Sequence, residues 1–471
     1  LASSLKKITM KSCPGLTFIN WSDEGFSGFA LLEKLTIWEC ADLLSSLVHK
    51  DGSDDGANWR WLLPPSLEEL DIRDYHSTGT LQPCFPRGST SLKRLVVQMG
   101  YGLHTIQVDS CTALEQLEIK WCGSLTALEG LQFLGRLTHL NVSCCPGLVH
   151  EANGRWPFPT SLRQLEINNS HSHETLQPCF PADSTNLESL EVHTCRGLQS
   201  IQLDSCTALE ELTIGDCGSL TALEGLQCLG RLTHLNIEAC PGLANGRWFL
   251  PTSLRQLKIS KCHSHETLQP CFPTDSTSLE SLEVRNSRGL LSIQLHSCTS
   301  LEELTIGDCG SLTALEGLQC LGRLKHLDVA YCPGLPPFLE SFSRLDYGIC
   351  PRLETLKIDD PSVLTTSFCK HLTSLQSLRF NDLKNVRSLT DEQEQALVLL
   401  KSLKELQFSS CYNLGDLPAR LRDLPSLQRL KINVCRGISR LPVTGLPLSL
   451  EQLKIYGCSK ELADECRLLP P

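Results

Sequence analysis

A twelve-residue segment occurs twice in this chain without a single change. LEELTIGDCGSL spans Leu209–Leu220 and again Leu301–Leu312. Side chains in an extended strand alternate between its two faces, so Leu212 and Ile214 point to the same side. A cysteine and a closing leucine follow at fixed offsets. The segment therefore predicts a short strand with one buried face, followed by a bend.

Looser versions of this segment recur along the whole chain. The predicted repeat strands begin at nineteen positions, mostly 22 to 25 residues apart: Leu5, Leu32, Leu67, Leu92, Leu114, Leu137, Leu162, Leu187, Leu209, Leu232, Leu254, Leu279, Leu301, Leu324, Leu353, Leu375, Leu403, Leu427 and Leu450. This period and the Leu-x-x-Leu-x-Ile spacing are typical of leucine-rich repeats, which bury their apolar faces against neighbouring repeats. We predict an α/β leucine-rich-repeat solenoid of about nineteen repeats. Its horseshoe would carry a parallel β-sheet on the concave face and mostly loops, 3₁₀ turns or short helices on the convex side.

The repeats are expected to form a single array over residues 1–471, interrupted by irregular insertions near residues 44–66, 336–351 and 383–402. In the first insertion we expect Trp59 and Trp61 to pack on the convex side. In the third, Thr390 and Gln393 have the form of a capping box, which predicts a helix.

A longer period lies above the short one. Near-identical blocks begin at Cys111, Cys206 and Cys298, 95 and 92 residues apart, and the hexapeptide LQPCFP recurs at Leu81, Leu176 and Leu268. We interpret this as a duplicated block of four repeats, around residues 111–205, 206–297 and 298–335. The chain opens on a repeat and lacks an initiator Met, so we expect it to be a fragment of a longer protein.

Thirteen of the 25 cysteines occupy one repeat position, directly after the strand: Cys13, Cys40, Cys122, Cys145, Cys195, Cys217, Cys240, Cys262, Cys309, Cys332, Cys411, Cys435 and Cys458. A small buried thiol there can point at backbone groups of the bend, the role that asparagine has in other leucine-rich repeats. Disulfides between successive repeats would gain little loop entropy and would strain the stack. We therefore expect reduced thiols, and with them a cytosolic or nuclear protein.

Composition and motifs argue against several functions. The formal net charge of -11 and the pI near 5.7 disfavour nucleic acid as a partner, because phosphate binding needs a basic face. No apolar run approaches the roughly 18 residues of a membrane helix. Repeat geometry places no Ser-His-Asp or Cys-His set at one locus, so we predict that the protein is not an enzyme. The HSHET segments at His171 and His263 lack further ligands, so neither a metal nor a cofactor is predicted.

Three motifs carry a resemblance to a known family. The segments Leu209–Leu220 and Leu232–Leu243, with the linker LPTSLRQLKISKC at Leu250–Cys262, resemble the C-terminal repeats of plant intracellular nucleotide-binding leucine-rich-repeat disease resistance proteins. The resemblance covers essentially the whole chain. It implies a recognition module of an innate immune receptor that senses a pathogen effector or a guarded host protein. It also implies an intramolecular contact with a nucleotide-binding switch; that switch is absent here, since the chain has no phosphate-loop motif.

Two other classes of protein use similar repeats. Substrate-recognition repeats of F-box-type ubiquitin ligase adaptors also carry a cysteine after the strand, but they usually continue into an Ile-Thr-Asp and helix pattern that is absent here. The repeats of extracellular receptors would show asparagine at the cysteine position and Gly-x-Ile-Pro turns. The F-box adaptor is therefore the main alternative to the immune receptor.

Residues between the apolar strand positions are predicted to face the concave surface, where a protein partner would bind. Nineteen strands at about 4.8 Å give an arc of roughly 90 Å, ample for a standard interface of about 800 Å² per partner. Its middle is mixed or acidic and its end, from Arg429 to Lys454, is basic, while the aromatic residues occupy positions that no core needs. The predicted partner-binding residues are Trp38, Arg73, Arg94, Lys120, Trp121, His139, His234, Arg285, His326, Asp328, Tyr331, Arg379, Arg429, Lys431, Lys454 and Tyr456. A minority of such residues carries most of the binding energy, and we expect specificity to come from the more varied repeats.

Overall fold

A computed structural model shows a parallel strand in each of the nineteen predicted repeats, and we number these strands β1 to β19 in chain order. The structure describes residues 4–16, 25–40, 43, 60–75, 79–84, 90–148, 155–169, 174–179, 186–244, 247–262, 267–271, 278–344, 349–383 and 386–467. The chain divides into two compact units, residues 1–243 and 244–471. A single array through both units remains a prediction.

Unit 1 contains ten of the strands. These are β1 (Lys7–Lys11), β2 (Lys34–Trp38), β3 (Glu69–Tyr75), β4 (Arg94–Gly100), β5 (Gln116–Lys120), β6 (His139–Ser143), β7 (Gln164–Asn168), β8 (Ser189–His193), β9 (Glu211–Gly215) and β10 (His234–Glu238). The 3₁₀ turns in its described residues are Gly25–Gly28, Leu131–Phe133 and Leu226–Cys228, and a fourth begins at Pro241. Successive strands pair in register, so that Leu212 lies beside Leu190 and Leu235. The strand leucines therefore form a buried column.

Unit 2 contains the other nine strands. These are β11 (Gln256–Ser260), β12 (Ser281–Arg285), β13 (Glu303–Gly307), β14 (His326–Ala330), β15 (Thr355–Ile358), β16 (Ser377–Asn381), β17 (Glu405–Ser409), β18 (Arg429–Asn433) and β19 (Gln452–Tyr456). The helices are α1 (Leu335–Glu340), α2 (Ser367–Lys370), α3 (Asp391–Val398) and α4 (Lys460–Arg467). The 3₁₀ turns are Leu318–Cys320, Ser341–Arg344, Pro361–Thr365 and Leu421–Asp423.

The strands begin two residues later than the sequence pattern suggested. Leu209 is fully buried, but it lies in the turn before β9, where its N–H donates to the carbonyl of Cys206 at 3.0 Å. The ladder to the preceding repeat begins with the N–H of Glu210 and Glu211, which both donate to the carbonyl of Glu188. The first leucine of each motif thus belongs to the core without belonging to the strand.

The cysteine position closes each bend as predicted. In all thirteen repeats the Sγ donates to the backbone carbonyl two residues earlier, at 3.2 to 3.5 Å. The residue before each of these cysteines has φ between 50° and 64°, as at Asp216. In the repeat of β12 the hydroxyl of Ser287 takes the same role and donates to the carbonyl of Arg285. A short polar donor is therefore what the bend requires.

Three blocks of repeats carry a second, four-stranded parallel sheet on their return segments. Two belong to unit 1: Arg60–Leu62, Gly79–Cys84, Leu103–Gln107 and Ala127–Glu129 form one, and Arg155–Pro157, Thr175–Cys179, Ser200–Gln202 and Ala222–Glu224 the other. Arg247–Phe249, Thr267–Cys271, Ser292–Gln294 and Ala314–Glu316 form the third, in unit 2. Their first strands start 95 and 92 residues apart, the spacing of the duplicated sequence blocks.

The predicted insertions differ in what the structure describes. The helix of the third insertion is confirmed as α3, where Thr390 Oγ1 accepts from the N–H of Gln393 and Gln393 Oε1 accepts from the N–H of Thr390. In the second insertion α1 is described, with Leu335 and Leu339 buried. Trp59 and the side chain of Trp61 lie outside the described residues, so their predicted packing is untested.

Candidate functional site

Alternate residues of the main strands lie outside the core, and we call these positions the sheet face. In β9, Leu212 and Ile214 are buried, whereas Glu211 is exposed and Thr213 is half-buried. Register places the sheet-face residues of successive strands side by side, as for Glu191, Thr213 and Asn236. The predicted site residues within the strands occupy this face of the two units, and Trp121 and Tyr331 directly follow a strand.

At the start of unit 1 the sheet face carries an aromatic residue beside charged ones. Trp38 is 37% exposed, and Lys11 Nζ lies 5.3 Å from the centroid of its ring. The register partner of Trp38 on β3 is Arg73, whose guanidinium forms two hydrogen bonds to Asp71, at 2.9 and 2.8 Å. Arg73 is thus held by its own strand, and Trp38 presents a partly exposed indole with a cation over it.

The strands β5 to β9 line an acidic cleft of about 450 Å³. These five strands carry Glu118, Glu166, Glu191 and Glu211 against one cation, Lys120, a formal net charge of -3. Three of the predicted partner-binding residues lie at this cleft. His139 lines it, and Lys120 and Arg94 form ion pairs with Glu118 at 3.0 and 2.6 Å.

Two carboxylates in the acidic cleft titrate differently. Burial opposes ionisation of Glu118, but the hydrogen bonds from Lys120 and Arg94 outweigh it and lower its pKa. Burial raises the pKa of Glu166, and the nearby charge of Glu191 raises it further, although the amide of Asn141 donates to Glu166. Among the described residues no Lys or Arg forms an ion pair with Glu166 or Glu191, and Glu191 lies 3.8 Å from the imidazole of His193.

Trp121 occupies the bend that follows β5. Its side chain is 57% exposed and its φ is 61°, a region that bulky L-residues rarely adopt. The two identical copies of the repeat have Asp216 and Asp308 at this position. Asp tolerates positive φ through local hydrogen bonding, whereas tryptophan pays a steric cost there.

We expect Trp121→Asn to raise the free energy of unfolding by about 1 kcal/mol, because asparagine adopts the left-handed conformation with less strain. Asp216→Trp, at the equivalent bend, is the reciprocal control and should lower it by a similar amount. Urea unfolding followed by circular dichroism measures both. A loss of stability in Trp121→Asn would show instead that the indole packs against the fold.

In unit 2, several predicted residues engage one another. Arg285 Nε binds Glu283 at 2.5 Å, and its Nη2 lies 3.9 Å from Asp328, which also accepts from Lys357 Nζ at 2.8 Å. The guanidinium of Arg285 lies over Gly307, where a Cβ would be 3.2 Å from Nη1. In unit 1 the imidazole of His193 lies over the equivalent Gly215. The two repeats of identical sequence therefore have different surroundings, because His193 covers the glycine of one and Arg285 covers the glycine of the other.

Three further predicted residues, His234, His326 and Tyr331, have different surroundings. His234 of unit 1 contacts the hydroxyl of Thr233 at 2.8 Å, and His326 is exposed. Tyr331 was expected to be an aromatic residue without a structural role, but the structure shows that it has one. Its hydroxyl donates to Asp382 and its N–H donates to Asp359 at 2.9 Å, and burial together with the carboxylates raises the pKa of the phenol. Tyr331 thus links three repeats of unit 2, and partner binding by it remains a prediction.

The last strands of unit 2 carry a group of cations. Arg379, Arg429 and Lys431 surround Glu405, and Lys454 follows in register with Lys431. We call these four cations the basic cluster. Tyr456, on the last strand, is 75% exposed beside it. Glu405 was not among the predicted site residues; the only sequence signal was its place on the sheet-face side of the LxxLxF pattern.

Comparison with known proteins finds similarity to plant disease resistance proteins. The family model of leucine-rich repeats in RPS2-like plant disease resistance proteins matches residues 287–436. Disease resistance protein RPP4 of Arabidopsis thaliana is 28% identical over 246 residues, which cover 50% of this chain and 20% of RPP4. Disease resistance protein RPS6 of the same plant is 30% identical over 194 residues, which cover 39% of this chain and 17% of RPS6. Over these regions the chain is similar to the leucine-rich repeats of plant disease resistance proteins.

The chain spans about a fifth of the length of these curated relatives. Two solved structures also align with the chain. The leucine-rich-repeat protein of Leptospira interrogans is 16% identical with a TM-score of 0.43, covering 99% of this chain and 94% of its own. TLR13 in its complex with ssRNA13 is 15% identical with a TM-score of 0.41, covering 92% of this chain and 79% of its own.

Two further features of the chain bear on function. Among the described residues, no group of three or more His, Cys, Asp or Glu side chains is arranged to hold a metal ion, and most of both HSHET segments lies outside that part of the chain. No helix in the described ranges is long and apolar enough to cross a bilayer.

Proposed function

We propose that the chain is the non-catalytic protein-recognition module of a plant innate immune receptor that acts in the cytosol or nucleus. The module binds a pathogen effector or a guarded host protein through the sheet face, and it restrains a nucleotide-binding switch elsewhere in the same receptor. The similarity to disease resistance proteins supports this over the F-box ubiquitin ligase adaptor. Because the chain matches only a fifth of RPP4, the role of the whole receptor is part of the proposal.

The observation that carries the proposal is the contrast between the two faces of each strand. The leucine columns are buried, and next to them aromatic and charged side chains such as Trp38 and Arg429 are partly exposed. Tryptophan, tyrosine and arginine dominate the binding energy of protein interfaces. Residues on strands are also held more rigidly than residues on loops, which lowers the entropy that binding must overcome.

Photo-crosslinking tests this role. Benzoylphenylalanine at Trp121 or Tyr456 places the reactive group beside the sheet face, whereas Phe133 and Leu399, 66% and 65% exposed, lie in a 3₁₀ turn and next to α3. Extracts of healthy and infected leaves supply the candidates. We expect a defined protein crosslinked at Trp121 or Tyr456 only: a pathogen protein for direct sensing, or a plant protein for a guarded partner. Equal crosslinking at Phe133 and Leu399 would remove the support for the sheet face.

A further inference from the structure

The last four strands of unit 2 carry a charge opposite to that of the whole chain. The sheet-face cations of β16 to β19 are the basic cluster, and the single carboxylate among them is Glu405. Four cations and one anion give a formal charge of +3, in a chain whose net charge is -11. The basic cluster is therefore a local reversal of charge that the composition does not suggest.

Glu405 anchors three of these cations. Its side chain is only 8% exposed, with Arg429 Nε 2.9 Å from Oε2, Lys431 Nζ 3.0 Å from Oε1 and Arg379 Nη2 3.7 Å from Oε1. Burial opposes its ionisation, but the hydrogen bonds from Arg429 and Lys431 outweigh burial and lower the pKa of this carboxyl. One carboxylate cannot neutralise three cations, so positive charge is left over on the sheet face.

The fourth cation increases this excess. Lys454 lies opposite Lys431 in the parallel register of β18 and β19, and within the described residues no carboxylate forms an ion pair with it. Like charges directly opposite each other on neighbouring strands destabilise a sheet. An anion bound between the two ammonium groups would relieve that repulsion, so the arrangement favours a negatively charged ligand.

The basic cluster also presents unused donors. The guanidinium of Arg429 contacts Glu405 through Nε, and the side chains of Arg429 and Arg379 are 44% and 45% exposed. A planar guanidinium can bind a carboxylate through two parallel hydrogen bonds. Because Glu405 already holds the cations in place, less side-chain entropy is lost when a ligand binds. The half-buried amides of Asn381 and Asn433 add neutral donors on the same strands.

We propose that the basic cluster binds an acidic segment, rich in Asp and Glu, of the protein partner. This assignment rests on the proposed recognition function and adds the chemistry of the ligand. Four strands about 4.8 Å apart span roughly 14 Å, a length suited to a few carboxylates of one extended peptide. A long polyanion such as a nucleic acid would meet repulsion from the negative remainder of the chain, which is why an acidic peptide is favoured.

Fluorescence anisotropy with the full 471-residue chain tests the assignment. The probe is a fluorescein-labelled peptide of alternating Glu and Asp residues, and the matched peptide carries Gln and Asn instead. We expect the acidic peptide to bind, with an affinity that falls as salt is raised, and the amide peptide to bind at least about tenfold more weakly. Equal binding of the two peptides would overturn the assignment.

Variants locate the binding to the basic cluster. The double variant Arg429→Gln/Lys454→Gln removes two cations while Glu405 keeps Lys431 as its partner, and we expect affinity for the acidic peptide to fall about tenfold. Lys258→Gln is the control: Lys258 is a half-exposed sheet-face lysine on β11, 3.4 Å from Glu283, and its loss should leave affinity unchanged. Thermal melts show whether each variant is folded.

Three outcomes contradict the proposal: unchanged affinity in the folded double variant, an equal loss in Lys258→Gln, and tighter binding of oligodeoxythymidine than of the acidic peptide through the same cations. The last would assign the cluster to nucleic acid. If the acidic peptide fails while Trp121 or Tyr456 still crosslinks a defined partner, recognition by the sheet face stands and only the acidic chemistry is wrong.

Discussion

Phe408→Ala is expected to lower the free energy of unfolding by about 3–5 kcal/mol, the range for large-to-small substitutions of buried aromatic residues. Phe408 of β17 and its register partner Phe380 of β16 are both fully buried. Their rings stack with centroids 5.2 Å apart and planes inclined by 15°. They occupy the position that isoleucine or valine fills in the other repeats except the first, which has Met10, so an alanine leaves a cavity that the rigid stack cannot close.

Tyr412→Ala is the matched control, since Tyr412 is an aromatic residue of the same repeat that is 53% exposed. It should change stability by no more than about 0.5 kcal/mol. Urea unfolding and hydrogen exchange of the β16 and β17 amides measure the two variants, because repeat arrays can open locally. Similar losses in both would mean that the stacked pair does not anchor this part of unit 2.

Gly317→Ala is expected to cost about 2–4 kcal/mol, because backbone strain and a steric clash coincide. Gly317 has φ 87°, and a Cβ there would lie 2.7 Å from the backbone nitrogen of His296. Backbone atoms cannot move aside as a flexible side chain can. The same turn recurs at Gly130 and Gly225, with φ of 88° and 82°, so the requirement was duplicated with the block.

Gly310→Ala serves as the control for Gly317→Ala. Gly310 lies in the same repeat, its φ is not left-handed, and a Cβ there meets nothing within 4 Å. Its replacement should be neutral or slightly stabilising, because alanine restricts the unfolded chain. Thermal and urea unfolding compare the two. If Gly317→Ala were as stable as Gly310→Ala, the approach of the two backbone segments would be looser than the structure shows.

The main sheet could be predicted from the sequence because one spacing determines it. Leu-x-Ile alternation gives the buried face of each strand, and a repeat can bury that face only against equivalent residues of its neighbours. The cysteine position could also be predicted, since a small donor is needed at a fixed offset. The start of each strand could not be predicted. The leucine spacing reports only which residues are buried, and Leu209 would be buried in a turn as well as in a strand.

The second sheets were not predicted because their strands lack a readable pattern. Ser200–Gln202 and Ala222–Glu224 have only three residues each, too few to show alternation. The longer strands Thr175–Cys179 and Thr267–Cys271 contain a proline, which usually argues against a strand. Here the proline carbonyl is used: that of Pro178 accepts from Ser205 Oγ at 2.7 Å.

The sequence predicted which charged residues lie on the candidate site, but it did not predict which of them form ion pairs or hydrogen bonds with each other. Glu405 lies 24 residues before Arg429, and Tyr331 lies 51 residues before Asp382. Which residues become neighbours depends on the number of residues in each repeat, and irregular insertions change that number. The sequence therefore placed Arg379, Arg429 and Lys431 on one face, while the buried carboxylate that holds them became visible only in the structure.

The central claim is that the sheet face binds the partner and the buried columns hold the fold. The most direct test compares two triple variants of exposed side chains for affinity to the crosslinked partner and for melting temperature. One changes residues on or directly beside the sheet face, Trp121→Asn, Arg429→Gln and Tyr456→Ser; the other changes exposed residues elsewhere, Phe133→Ser, Leu399→Gln and Val443→Thr. We predict that the first loses at least about tenfold in affinity with its melting temperature retained, and that the second binds normally. Normal binding by the first variant, or an equal loss by the second, would contradict the account.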